Sequence, residues 1–464
     1  SQPTPEDDAT PMPLLLTLAL AGGALAVAFE AYGTLTAMSA AARDLGRLDL
    51  YAWAFTAFVI AQVLAIVLAG RLVDRMGPVL PLANGMLVFT LGLLGAGLAP
   101  SMAWLLAARA VQGFGGGALN LAFMVVVAEA YGKRQRAWLM TVLSFCWVLP
   151  SFVGPPLSAW ITIRFGWHWV FLGVVPALLV VTGLGWRPLT RLLHRPRPAH
   201  TNPSPVPVWA AFAAAIGAAL LQLAGQWLNR PGLLAGAVGL VVLVIGLPRM
   251  MPAGFVRVGR GLPALMWTRL LACGAFFAAE AFVPLLLQNE YGFSLDHAGL
   301  FLALGATGWS LGSIVQAWRG LRIRRDQIIH LGAAVIVAGI GTMAAAARLD
   351  WHWMVLAAGF TAAGTGMGLL VSSISLTNMQ LSQPQSIGRN TSAVQVSEGL
   401  GNALVTGAAG AVFAGLHQRV PGESTFGVIY LLCLVSACLA LLAGFRIGPV
   451  RNESAGIGHT ELRS

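Results

Sequence analysis

The chain has 464 residues, of which 57% are hydrophobic and only 10% charged, and its mean hydropathy is +0.76. Those values exclude a set of two or three soluble domains and describe a polytopic membrane protein. A net charge of +11 would suggest nucleic acid as a partner for a soluble protein. Here the basic residues lie between apolar stretches, so the charge is read as orientation and no nucleic-acid partner is expected.

The first apolar stretch runs from Pro13 to about position 41 and contains one carboxylate, Glu30. About 20 apolar residues cross a bilayer. An acid in the middle of such a helix costs roughly 2.5–3.5 kcal/mol on insertion scales, so it is read as functional. With an acidic flank and no clear small-residue cleavage site, no cleavable signal peptide is evident and the stretch is expected to be a first span. Further spans follow at 50–69, 79–98, 101–131, 137–162 and 167–186. The Pro/Arg-rich stretch Arg187–Pro207 reads as a linker. Two spans, 207–228 and 231–248, are joined tightly by Asn229-Arg230-Pro231-Gly232. After a basic connector, six more lie at 263–290, 296–318, 327–347, 352–380, 387–416 and 425–446.

The expectation is an all-α polytopic membrane protein of 14 transmembrane helices, arranged six, two, six. A six-helix bundle occupies 1–186, linkers and two inserted helices occupy 187–262, and a second six-helix bundle occupies 263–464. With the N-terminus inside, 20 of the 28 basic residues fall on the cytoplasmic side, six fall outside, and Arg109 and Arg269 lie within spans. That asymmetry predicts cytoplasmic termini, because Lys and Arg are retained on the inner side.

The halves repeat. Glu280 follows Pro263 by 17 residues, as Glu30 follows Pro13, and Ala278-Ala279-Glu280-Ala281-Phe282 aligns with Ala28-Phe29-Glu30-Ala31-Tyr32. Gly113-Phe114-Gly115-Gly116-Gly117 corresponds to Gly364-Thr365-Gly366-Met367-Gly368, small residues that let helices approach closely. Repeated halves with polar groups near the midplane are the usual construction of a secondary transporter.

Between the second and third spans, Gly70-Arg71-Leu72-Val73-Asp74-Arg75-Met76-Gly77-Pro78 resembles the signature loop of the major facilitator superfamily. Arg109-Ala110-Val111-Gln112-Gly113 resembles its second motif, and Glu30 with Thr34 resembles the acid-bearing first helix of its drug:proton antiporters. The helix count points to their fourteen-helix branch. In the fifth span Gly154-Pro155 matches the antiporter signature, but Pro150 and Ser158 replace two expected glycines. In the second half Arg324 stands where the first half has Asp74. The resemblance implies that Gly70, Asp74, Arg75 and Gly77 form a conformational latch against the helix starting near Ile387.

Arg109 and Glu30 lie at matching depths, so antiparallel helices can bring them together. An arginine stabilises the charged form of a neighbouring acid and hydrocarbon stabilises the neutral form, so an acid held between the two can load and release a proton. Glu280 and Glu398 are further buried acids with three open uses: carrying protons, binding a cationic substrate, or pairing with each other. Arg269, about six residues into its span, is expected to snorkel to the inner interface. Glu129 and Glu290, near span ends, are read as interfacial.

No nucleotide loop, metal cluster or nucleophile–base set is visible, so an enzyme is not expected, nor a cofactor, and a proton gradient is the energy source. The expected function is proton-coupled multidrug efflux of amphipathic or cationic compounds by an antiporter using alternating access. A transporter of lipid or lipid-like molecules, or a proton-coupled importer, is the alternative. A transport-inactive scaffold or sensor is disfavoured by the matched acids. The expected setting is a monomer in the bacterial cytoplasmic (inner) membrane, with a small-molecule or lipid substrate and membrane lipids as partners.

Overall fold

A computed structural model describes residues 14–131, 133–193, 207–226, 229–317, 323–383, 386–416 and 422–450. It is helical throughout the described residues. The helices are α1 (Leu14–Asp44), α2 (Tyr51–Met76), α3 (Val79–Gly97), α4 (Met102–Ala130), α5 (Lys133–Phe165), the short α6 (His168–Leu172) and α7 (Val174–Leu193). Then come α8 (Val208–Gln226), α9 (Arg230–Met250), α10 (Leu262–Asn289), α11 (Leu295–Ala317), α12 (Arg325–Arg348), α13 (Trp353–Leu381), α14 (Ile387–Leu416) and α15 (Gly422–Gly444). Fourteen spans are long and apolar enough to cross a membrane, with α6 and α7 forming one of them. The count matches the hydropathy reading.

The chain divides into two compact units. The first holds 1–48 and 57–205, and the second holds 49–56 and 206–464. In the first unit α1 packs on α5 and α7, and α3 packs on α4. In the second, α10 packs on α14 and α15, while α13 packs on α11 and α12. The α1–α5 pair is thus repeated as α10–α14, and the α3–α4 pair as α12–α13.

The glycine runs explain the second repeat. A Cβ on Gly113 would overlap the Phe58 carbonyl of α2, and one on Gly115 would overlap the Phe89 backbone of α3. Gly364 meets the Gly305 carbonyl of α11 in the same way, and Gly366 lies against the Gly332 carbonyl of α12. In lipid, where apolar burial gives little drive between helices, such close backbone packing supplies the association.

The inserted helices α8 and α9 pack against each other, and α8 packs on α14 within the second unit. Asn229 starts α9: its side-chain oxygen accepts from the Gly232 N–H at 2.9 Å, with Pro231 in the first turn where no N–H is needed. Burial separates the roles of neighbouring spans. In α10 89% of the apolar window is buried, against 28% in α9, so α10 is a core helix and α9 mostly faces lipid.

Candidate functional site

The first unit brings Glu30 and Arg109 together, as their matching depths allow. Glu30 is 1% exposed and Arg109 4%. Arg109 Nη1 donates to Glu30 Oε1 at 2.5 Å and to Gln112 Oε1 at 2.7 Å. Thr34, one turn along α1, donates its hydroxyl to the same Glu30 oxygen at 2.7 Å. The guanidinium lies over the Phe58 ring, 4.5 Å from its centroid. One carboxylate oxygen therefore carries both donors. The other, Glu30 Oε2, is buried and accepts no hydrogen bond among the described residues. Gln112 is not among the residues expected at the site, although its spacing of three residues after Arg109 puts it on the same helix face.

The antiporter-like segment of α5 lies directly on α1 beside Glu30. A Cβ on Gly154 would stand 3.2 Å from Tyr32 Cβ, with Phe29 at 3.8 Å. Pro155 is buried and, having no N–H, leaves the Ser151 carbonyl without its helical donor. Ser158, a departure from the glycine pattern, donates to the Gly33 carbonyl at 2.7 Å. The substitution adds an interhelical hydrogen bond where a glycine offers only closeness.

At the signature loop, Gly77 ends α2 with φ of +79° and its N–H bonded to Val73 O at 2.8 Å, the left-handed cap that glycine favours. Gly70 lies 3.5 Å (from a built Cβ) off Leu121 of α4, and Arg75 is exposed. The side chain of Asp74 lies outside the described residues, as does that of Glu129.

The second unit holds Glu280, Arg269 and Glu398. Glu280 is 7% exposed on α10, without a hydrogen-bond or ion-pair partner among the described residues. Pro284 lacks the N–H that would close a helical bond to the Glu280 carbonyl, which weakens the ladder at this turn. Arg269 does not snorkel. It is 6% exposed, donates Nη1 to the Val371 carbonyl of α13 at 3.1 Å, and donates Nη2 to Glu398 Oε2 of α14. Depth alone put Arg269 near an interface, but its side chain turns inward because α14 offers an acid and α13 a carbonyl. Glu398 is thus paired with an arginine. Glu290 is half-buried at the end of α10.

A further buried acid lies outside the residues expected from sequence. Asp326, 2% exposed, accepts from Arg324 Nε at 3.0 Å and Nη2 at 2.6 Å, and from the Val450 N–H at 2.9 Å. Arg325 N–H donates in turn to Val450 O at 3.0 Å. The loop that carries Arg324 at the position of Asp74 thus has its carboxylate two residues later, inside α12, where it holds the Val450 backbone beyond α15.

Two units of matching helix packing, each with an ion pair joining two of its helices, describe a polytopic α-helical membrane protein built from repeated halves. The chain belongs to the Major Facilitator Superfamily, whose sequence profile matches residues 20–406. It is 25% identical over 418 residues to the multidrug transporter protein MdtP of Bacillus subtilis (85% of this chain, 75% of the relative). It is 26% identical over 410 residues to a multidrug resistance protein B homolog of Mycobacterium tuberculosis (84% and 75%). Among solved structures it is similar to a D-xylose–proton symporter, at TM-score 0.66 and 14% identity, covering 94% of this chain and 98% of that one.

Proposed function

We propose that this transporter is a proton-coupled exporter of amphipathic or cationic compounds, an antiporter working by alternating access. The observation that carries the reading is the half-used carboxylate of Glu30. Its Oε1 holds Arg109 and Thr34, while its buried Oε2 accepts nothing among the described residues. A proton can bind Oε2 without either existing bond breaking, and its arrival neutralises the charge that holds Arg109. Arg109 then relies on Gln112, so protonation becomes a shift in the grip of α1 on α4. Glu280 is the second protonatable group of the scheme, and its lack of a counter-charge suits a cationic cargo. Glu398, held by Arg269, tunes the α10–α14 contact.

The names of the multidrug relatives support drug export in preference to nutrient uptake. The reading places a single chain in the bacterial inner membrane with both termini cytoplasmic. Bundles 1–186 and 263–464 do the moving, 187–262 stands outside them, and no cofactor takes part. The latch role of Gly70, Asp74, Arg75 and Gly77 and the helix-packing role of Gly154 and Pro155 belong to the same proposal.

The test is efflux from proteoliposomes under an imposed pH gradient, with the wild type and Glu30→Gln. Dye efflux that follows the gradient in the wild type and vanishes in a folded Glu30→Gln protein is expected. Undiminished gradient-driven efflux in the variant removes Glu30 from the mechanism. The same vesicles scored with labelled lipid separate the lipid-transport reading from drug export.

A further inference from the structure

The connector between α9 and α10 is a built structure. Trp267 stacks on Phe255 with ring centroids 4.8 Å apart and donates its indole N–H to the Phe255 carbonyl at 2.8 Å. Gly254 and Val258 both adopt left-handed backbone, and the Gly259 N–H closes the turn onto Gly254 O at 3.0 Å. Val258 is not a residue that takes this conformation without cost. The Gly261 N–H then bonds the Arg446 carbonyl at 3.2 Å, which ties the turn to the end of α15.

Within this turn lies a groove of about 280 Å³, lined by Pro248, Pro252, Gly254, Phe255, Val256 and Arg257 among others. Its depth in the membrane can be read from its neighbours. On α9, Leu240, Val241, Val244 and Ile245 are 53%, 57%, 58% and 46% exposed, a lipid-facing stripe that ends one turn before Pro248. The Arg249 guanidinium sits 4.8 Å from the centroid of the exposed Trp209 ring, an aromatic–cationic pair of the kind that marks the headgroup level. The groove therefore opens where hydrocarbon gives way to phosphate. Its lip is cationic: Arg257 lines it and is exposed, Arg260 is exposed three residues further along the connector, and the stretch from Pro248 to Pro263 contains no acid. Val256, 64% exposed, adds an apolar tip beside them.

We propose that this groove binds the headgroup of an anionic phospholipid. Arg257 and Arg260 hold the phosphate, since the guanidinium fork matches its oxygens, and Val256 reaches toward the acyl chains. The groove has room for a phosphate and its glycerol carbons. Because the turn is tied to α10 and α15, a bound lipid braces the connector that leads into the helix carrying Arg269 and Glu280. This site is separate from the Glu30 chemistry, and its test does not depend on transport.

The test uses the full chain in detergent, with retained lipid read by native mass spectrometry during titration with phosphatidylglycerol or phosphatidylcholine. Phosphatidylglycerol should bind preferentially, and the Arg257→Ala/Arg260→Ala double variant should bind it about twenty-fivefold more weakly, roughly fivefold per arginine lost. Phosphatidylcholine binding and thermal stability in phosphatidylcholine should not change, which controls for folding. Val256→Asp should weaken phosphatidylglycerol binding without touching either arginine. Equal retention of phosphatidylglycerol by wild type and double variant overturns the proposal. So does inorganic phosphate displacing the lipid at equal concentration, which would mark a site for free anions.

Discussion

Arg269 of α10 and Glu398 of α14 form an ion pair whose two ends differ in exposure. The Arg269 side chain is 7% exposed and that of Glu398 34%. Removing either partner therefore has unequal results. Without Arg269, Glu398 can still reach water. Without Glu398, a guanidinium stays buried with only the Val371 carbonyl in its place. Breaking a buried pair costs about 3–5 kcal/mol, and the partial exposure of Glu398 puts this case near the lower end. Glu398→Ala is expected to lower thermal stability in detergent well below that of Arg269→Met. The double variant Arg269→Met/Glu398→Leu should recover much of the loss. Equal melting temperatures for the two single variants would contradict the burial asymmetry.

That pair also shows where the sequence stops being legible. Depth along a span is countable, so the sequence alone places Glu30 and Arg109 at the same level. The direction of a side chain around the helix is not countable here. A helix in lipid is apolar on all sides, so its protein face and its lipid face carry the same residue types. α10 has no polar stripe to show that Arg269 points at α14. Asp326 is hidden for another reason. Aligning the two loops puts Arg324 opposite Asp74, and a shift of two residues carries the acid into the first turn of α12. The helix count and the glycine runs were readable because they rest on length and residue size alone.

The matched glycines predict matched defects. Alanine at Gly113 would drive its Cβ into the Phe58 carbonyl, and alanine at Gly364 into that of Gly305. Both obstacles are backbone and cannot rotate away. Overpacking costs about 1–3 kcal/mol, while replacing a helical glycine by alanine returns about 1 kcal/mol, so the clash prevails. Gly183 of α7 has nothing within 4 Å of a built Cβ and serves as the control. Thermal unfolding should rank Gly113→Ala and Gly364→Ala clearly below wild type, and Gly183→Ala level with it or above. If Gly113→Ala unfolds with the control, the close α2–α4 contact is not what holds this bundle.

Asp326 makes a local prediction. Its bonds to Arg324 involve a guanidinium that is 53% exposed, so that pair contributes little. The bond from the Val450 N–H is buried and carries the contact. Asp326→Asn keeps an oxygen acceptor for that N–H, whereas Asp326→Ala removes it. Hydrogen exchange over residues 445–450 should quicken about tenfold in the alanine variant, the loss of one charge-assisted bond, and change little in the asparagine variant. Arg324→Ala should also leave it nearly unchanged. Rapid exchange in the wild type would show that the segment is not held by Asp326.

Gln222 of α8 is the residue on which the inserted pair turns. It is 5% exposed, its amide carbon lies 3.3 Å from a Cβ built on Gly407 of α14, and neither amide atom has a hydrogen-bond partner among the described residues. A buried amide left without partners costs about 1–3 kcal/mol in water-soluble proteins and less in lipid, where the separated helices also lack partners. Leucine has a similar volume and nothing to satisfy. Gln222→Leu should therefore raise the melting temperature by a few degrees, while Gly225→Leu, which forces a large side chain against Ala411 of α14, should lower it. The contrast separates two roles for α8. A gain with leucine means that the helix holds α14 through shape alone. A loss means that the amide meets water or cargo at that contact, and α8 would then belong to the transport path and not to the packing around it.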